Sequence, residues 1–147
     1  MTKHGIELRT DSELPVSSLF ALYTAVGWGA YTNEERREDL HKAVENSSYV
    51  VSAWEGEKLV GLARGLSDDV SIFYLQDILV HPEYQRRGIG EQLLQACLDR
   101  YAHVRSKVLM TDDEVRQRLF YEKAGFRNSK DLAGAKLNTF VLIDGVD

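Results

Sequence analysis

The chain has 147 residues, 44% hydrophobic and 28% charged, and a net charge of −5. The length suits one domain with its own core over residues 1–147, and the composition excludes a disordered chain. The acidic balance argues against a nucleic-acid partner, no apolar run nears the roughly 18 residues of a membrane span, and the single cysteine, Cys97, excludes an internal disulfide.

The opening residues carry no apolar signal core, so a cytoplasmic protein with no membrane partner is expected. Ile6 to Arg9 predicts a short strand. Val16, Leu19, Phe20, Tyr23 and Val26 repeat at helical spacing behind Pro15. Gly27-Trp28-Gly29-Ala30-Tyr31 breaks that pattern, and Asn33 is placed to cap a second, polar helix to about Val44. Strands are predicted at Tyr49–Trp54 and Lys58–Leu66 around a Glu55-Gly56-Glu57 turn, then at Ser71–Val80. A helix over Gly88–Tyr101 turns Ile89, Leu93, Leu94, Cys97 and Tyr101 to the core, and a short strand follows at Ser106–Met110. Thr111 to Glu114 matches a capping box for a helix to about Ala124, with Gly125 as its stop. Lys136–Ile143 reads as a closing strand. The order β-α-α-β-β-β-α-β-α-β predicts an α/β domain with a mixed sheet.

The chemistry concentrates in Asp77-Ile-Leu-Val-His-Pro-Glu-Tyr-Gln-Arg-Arg-Gly-Ile-Gly90. A strand ends at Val80, and Pro82 stops its ladder. Two arginines and two glycines then precede an apolar-periodic helix. A helix start offers unpaired N–H groups and partial positive charge, glycine lets a ligand come close, and Arg86 and Arg87 add full charge. Together these suit a pyrophosphate. A Walker loop would need Gly-Lys-Ser/Thr. A dinucleotide fingerprint would need three glycines after an early strand, whereas here the motif follows three strands. The four histidines are scattered and show no metal-ligand spacing, so no metal is expected.

With Gln85-Arg-Arg-Gly-Ile-Gly90 after Leu79-Val-His-Pro82, and Leu119-Phe-Tyr-Glu-Lys-Ala-Gly-Phe126 further on, the sequence resembles the GCN5-related N-acetyltransferases, the GNAT family. The resemblance implies the acyl-CoA N-acyltransferase fold. That fold is a mixed, mostly antiparallel sheet, splayed between its fourth and fifth strands and flanked by four helices. It implies acetyl-CoA as co-substrate. The pantetheine arm would pair with backbone groups of Ile78, Leu79 and Val80, and the loop from Gln85 through Arg86, Arg87, Gly88, Ile89, Gly90 and Glu91 would hold the pyrophosphate. Tyr121 would stand near the sulfur as the acid for the departing thiolate. The chain departs from the family's pattern where many relatives carry Asn six residues before that tyrosine. Here the position is Val115.

The implied reaction is direct attack of a neutral amine on the thioester, which needs proximity and a route for the amine's proton. No base can be named. Strict alternation puts Tyr74, Gln76 and Ile78 on one strand face and Asp77 on the other, where it reads as a buried acid bonded to a neighbouring turn. Cys97 as a nucleophile would imply an acetyl-enzyme, but its place on the Leu93/Tyr101 stripe makes it a core residue. Trp28 and Tyr31 suit an aryl group or a cation, with Tyr74 and Gln76 beside them; Trp28 equally suits a loop anchor. The phrase around them is similar to arylalkylamine-type members of the family. The expected substrate is a small-molecule primary amine, an arylalkylamine or a polyamine. The alternatives are a protein Nα- or lysine acetyltransferase and a non-catalytic acyl-CoA sensor. The resemblance also allows a homodimer through Lys136–Ile143.

Overall fold

The computed structural model describes residues 2–3, 5–29 and 32–146. Its sheet has six strands in chain order: β1 (Thr2–Lys3), β2 (Ile6–Arg9), β3 (Tyr49–Glu55), β4 (Lys58–Ser67), β5 (Ile72–Val80) and β6 (Ser106–Leu109). Neighbours pair antiparallel except β5 and β6, which run parallel. The strands come from β-branched and aromatic runs, and the tight β3–β4 turn depends on Gly56 at φ 59°. The helices are α1 (Val16–Val26), α2 (Arg37–Glu45), α3 (Ile89–Arg100) and α4 (Val115–Lys123). None of the described helices is long and apolar enough to cross a membrane.

The chain divides into two units, Met1–Met110 and Thr111–Asp147. In the first, α1 and α2 bury Leu19, Leu22, Tyr23, Leu40 and Val44 against Val50, Leu62 and Leu79 of the sheet. The opposite sheet face meets α3. There Phe73 stacks on Tyr101 at 4.3 Å, and the bare Cα of Gly61 lets Ile89 and Leu93 approach. All five core positions expected on α3 are buried.

Helix boundaries follow local chemistry. Asn33 Oδ1 accepts from Arg36 N at 2.9 Å, capping a 3-10 turn that leads into α2. Gly27 closes α1 in the left-handed region at φ 85°. The expected Thr111 capping box does not form. The Glu114 N–H is already engaged with the Asp112 carbonyl at 2.8 Å, and α4 starts only at Val115 with no side-chain cap.

The second unit holds α4 and a 3-10 turn at Ser129–Asp131. The strand expected at Lys136–Ile143 is absent: these residues lie in no ladder, and Phe140 and Leu142 are 91% and 96% exposed. An apolar, β-prone sequence makes a strand only where another strand supplies its hydrogen bonds, and this unit contains none.

Candidate active site

The β5–β6 ladder runs from Ile72↔Ser106 to Leu75↔Leu109 and stops there. From Gln76 to Val80, β5 continues with β4 on one side and no described strand on the other. This is the splay expected between the fourth and fifth strands; the two-residue β1 advances the numbering by one. The opening leaves an edge of backbone donors and acceptors on Ile78, Leu79 and Val80, able to pair with an extended amide-bearing ligand.

That edge leads directly into a short, tied loop. His81 N donates to Val60 O at 2.8 Å, and the Gln85 side-chain amide donates to Val80 O at 3.1 Å. Gln85 therefore braces the loop across its own turn. Tyr84 is buried, and its hydroxyl donates to Glu55 Oε1 at 2.6 Å, locking the loop to the β3–β4 hairpin. Arg87 lies over the Tyr84 ring at 4.8 Å. Arg86 adopts φ 66° and Gly88 φ 80°, so the backbone turns through the left-handed region twice before α3 begins. Gly88 is the helix N-cap and supplies no side chain. The first-turn N–H groups of Ile89 and Gly90 have no intrahelical partner, with Glu91 completing that turn. The donor set of first-turn backbone N–H groups without helical partners plus two guanidiniums fits a pyrophosphate, and the free β5 edge fits a pantetheine arm.

The face beneath α1 and α2 differs from simple alternation. Arg64 pairs with Asp77 and Gly65 with Leu75, so Gln76 is an extra residue, a β-bulge. The bulge turns Asp77 and Leu79 to the α1/α2 face, which Tyr74 shares, and leaves Ile78 on the α3 face. The expected grouping of Tyr74, Gln76 and Ile78 is thereby corrected: Tyr74 lies close enough to Asp77 for that carboxylate, after burial, to raise its phenol pKa. Gly65 sits beside the bulge, where a Cβ would run into the Phe73 ring.

Asp77 bonds to no turn, which is a second correction. Its Oδ2 accepts from Arg64 Nε at 2.6 Å and from the Tyr23 hydroxyl at 2.8 Å, with Arg64 buried and Asp77 mostly so. Arg64 also donates to Ala43 O and Ser47 Oγ, each at 3.3 Å. Burial alone would lower the Arg64 pKa, but Asp77 and then Tyr23 together more than offset it and the net direction is upward. Burial, then Asp77, pushes the Tyr23 phenol well up. A lone Arg in an apolar strand was the signal for this network, because a buried charge needs a partner. Trp28 packs edge-on against Tyr23 at 5.8 Å, and its backbone N–H donates to the Tyr23 carbonyl at 3.2 Å. It is both anchored to α1 and partly exposed. Tyr31 lies outside the described residues.

Tyr121 belongs to the second unit. It is 7% exposed, lies edge-on to Phe120 at 5.0 Å and Phe126 at 5.9 Å, and burial pushes its phenol up to about 12. Cys97 is fully buried and its thiol is likewise pushed up to about 12, which removes it as a nucleophile at neutral pH.

Residues 22–138 match the family model described as Acetyltransferase (GNAT) domain. The chain belongs to the GNAT family. It is an acetyl-CoA-dependent N-acetyltransferase. A GNAT family protein of Streptococcus pneumoniae, SP0256, is similar in structure with a TM-score of 0.79 and 28% identity, over 96% of this chain and 99% of that one. A Gibberella zeae protein provisionally described as an acetyltransferase is 28% identical over 137 residues, 90% of this chain and 73% of the relative. The chloroplastic GCN5-related N-acetyltransferase 2 of Arabidopsis thaliana is 32% identical over 137 residues, 80% of this chain and 52% of that protein. The chain thus spans about half the length of the Arabidopsis relative.

Proposed function

We propose that this N-acetyltransferase acetylates a primary amine of a small molecule, an arylalkylamine or a polyamine. The observation that carries the reading is the free β5 edge running directly into the Arg86–Gly90 loop. Acetyl-CoA supplies the activated acetyl group. Backbone groups of Ile78, Leu79 and Val80 hold its arm, and the loop from Gln85 to Glu91 holds its phosphates. Arg86 and Arg87 neutralise charge there, and the backbone turns through the left-handed region at Arg86 and Gly88, the kind of concave turn that gathers N–H groups around an anion.

The amine is presented from the α1/α2 face, beside Tyr74 and on the side of the sheet that carries Tyr23 and Trp28. Asp77 is assigned a structural role, because its Oδ2 holds Arg64 and Tyr23 together. The proton leaves through solvent, helped by desolvation that favours the neutral amine. Tyr121 serves the departing sulfur. A thiol titrates near 8.5, so full proton transfer from a phenol at about 12 runs uphill by roughly 4–5 kcal/mol. Tyr121 therefore acts first as a hydrogen-bond donor to the developing thiolate.

The reading includes a homodimer, supported by the exposed apolar residues Leu137, Phe140, Val141, Leu142 and Ile143. It is tested by calorimetric titration with acetyl-CoA, followed by thiol-release assays with tryptamine, spermidine, amino sugars and short peptides. Binding with turnover of a small amine is expected. Turnover of peptides alone would move the assignment to a protein acetyltransferase, and binding without any turnover would move it to an acyl-CoA sensor. In Tyr121→Phe, kcat is expected to fall by about 10²-fold with acetyl-CoA affinity unchanged; equal turnover removes Tyr121 from the reaction.

A further inference from the structure

Three adjacent strands place one side chain each in a lateral row. Leu66 of β4 is the register partner of Tyr74 of β5, and Tyr74 is the register partner of Val108 of β6. Register partners point to the same face, so Leu66 and Val108 share the α1/α2 face with Tyr74. Elsewhere on that face the helices bury the sheet: Leu62 and Leu79 are closed off beneath α1 and α2. At this row the cover ends, leaving Leu66 46% and Val108 43% exposed. The row lies two residues before the Gln76 bulge, at the point where β6 leaves β5. On the same face, Tyr23 bonds to Asp77 and carries Trp28 edge-on against its ring.

We propose that Leu66, Tyr74 and Val108 form the floor of the acceptor site and select amines carrying a flat apolar body over polyamines. The proposal rests on the small-amine reading above and chooses between its two candidates. Two inter-strand spacings make the floor about 10 Å wide, the scale of a fused aromatic ring. A stable protein partner would need about 800 Å² on each side, far more than three side chains offer. Charge points the same way. β4, β5 and β6 carry a single carboxylate, Asp77, and Arg64 neutralises it. A polyamine, charged along its length, would lose hydration on this floor and meet no unpaired carboxylate on these three strands. An aryl body gains burial against Leu66 and Val108 and an edge or face of Tyr74.

The test compares tryptamine and spermidine as acceptors for the wild type, Leu66→Glu and Val108→Glu. Acetyl-CoA affinity is measured in parallel by calorimetry. The wild type is expected to prefer tryptamine in kcat/KM. Each substitution is expected to raise the KM for tryptamine by about tenfold and to leave or lower that for spermidine, with acetyl-CoA affinity unchanged. Leu66→Ser and Val108→Ser repeat the test without added charge should a glutamate variant fail to fold, and the tryptamine penalty is expected to persist. Val70→Glu, on the exposed β4–β5 loop, serves as a control with an unchanged ratio. An enzyme that turns over both amines with a ratio unmoved by all four variants overturns the floor and leaves the acetyltransferase reading standing. A wild type that prefers spermidine overturns it as well. A wild type that does not bind acetyl-CoA overturns the parent reading and the floor with it.

Discussion

The two units use apolar residues in opposite ways. In Met1–Met110, ladders and helices close over Leu19, Leu62, Phe73, Leu79 and Leu93, and the buried Arg64–Asp77–Tyr23 network stands inside that enclosure. In Thr111–Asp147, Tyr121 is the one buried residue of α4, while Leu119, Leu137, Phe140 and Leu142 face outward. The contrast shows that hydrophobicity alone does not make a core. A strand needs a neighbour's hydrogen bonds, and a side chain needs a facing layer.

The largest effect that could break this contrast lies in the first unit. Arg64→Met leaves Asp77 buried without its cation and is expected to cost about 3–5 kcal/mol, whereas Arg64→Met combined with Asp77→Leu recovers most of the loss. Urea unfolding followed by tryptophan fluorescence measures it, because both Trp28 and Trp54 lie in this unit. A loss below 1 kcal/mol, on the order of a surface pair, would mean that water reaches the network.

In the second unit the strongest handle is alkaline pH. The Tyr121 phenol titrates at about 12 folded and near 10 unfolded. The folded value is the higher, so its contribution is intact below pH 10 and is lost as pH rises through 12, amounting to roughly 2–3 kcal/mol. Phenolate absorbance should show a late-titrating tyrosine that Tyr121→Phe removes. A tyrosine at that position titrating near 10 would show that the second unit encloses nothing.

Gly65→Ala comes next, at about 1–3 kcal/mol, because the new methyl must displace the buried Phe73 ring or the Tyr74 carbonyl. Thermal unfolding reads the loss, and a shift in amine KM would accompany it through the neighbouring bulge. The smallest expected effect is Phe140→Ser, within about 0.5 kcal/mol for the monomer, since the side chain touches little. Sedimentation of the same variant sharpens the comparison: a concentration-dependent dimer that Phe140→Ser dissociates would identify the apolar run as an interface.

Much of the architecture was legible in residue order. The α3 stripe, the Gly56 turn, the Asn33 cap and the strand-loop-helix around Gln85–Gly90 are local patterns, and periodicity within a few residues is enough to read them. Two local readings failed for local reasons. The Thr111 capping box lost its donor to the Asp112 carbonyl, and the last strand had a β-prone sequence with no partner in its unit.

What the sequence determined by itself is the family and the local run of strand, loop and helix through residues 72–100, because each depends on residue types at short spacing. The tertiary structure alone decided which side chains share a face and which charges meet. One bulge residue, Gln76, reverses the alternation of β5, so Tyr74 joins Asp77 and aligns with Leu66 and Val108. Arg64 and Asp77 are 13 positions apart, and Tyr23 reaches Asp77 from 54 positions away. No spacing rule spans such distances, because the contact exists only after the sheet has paired and α1 has packed across it.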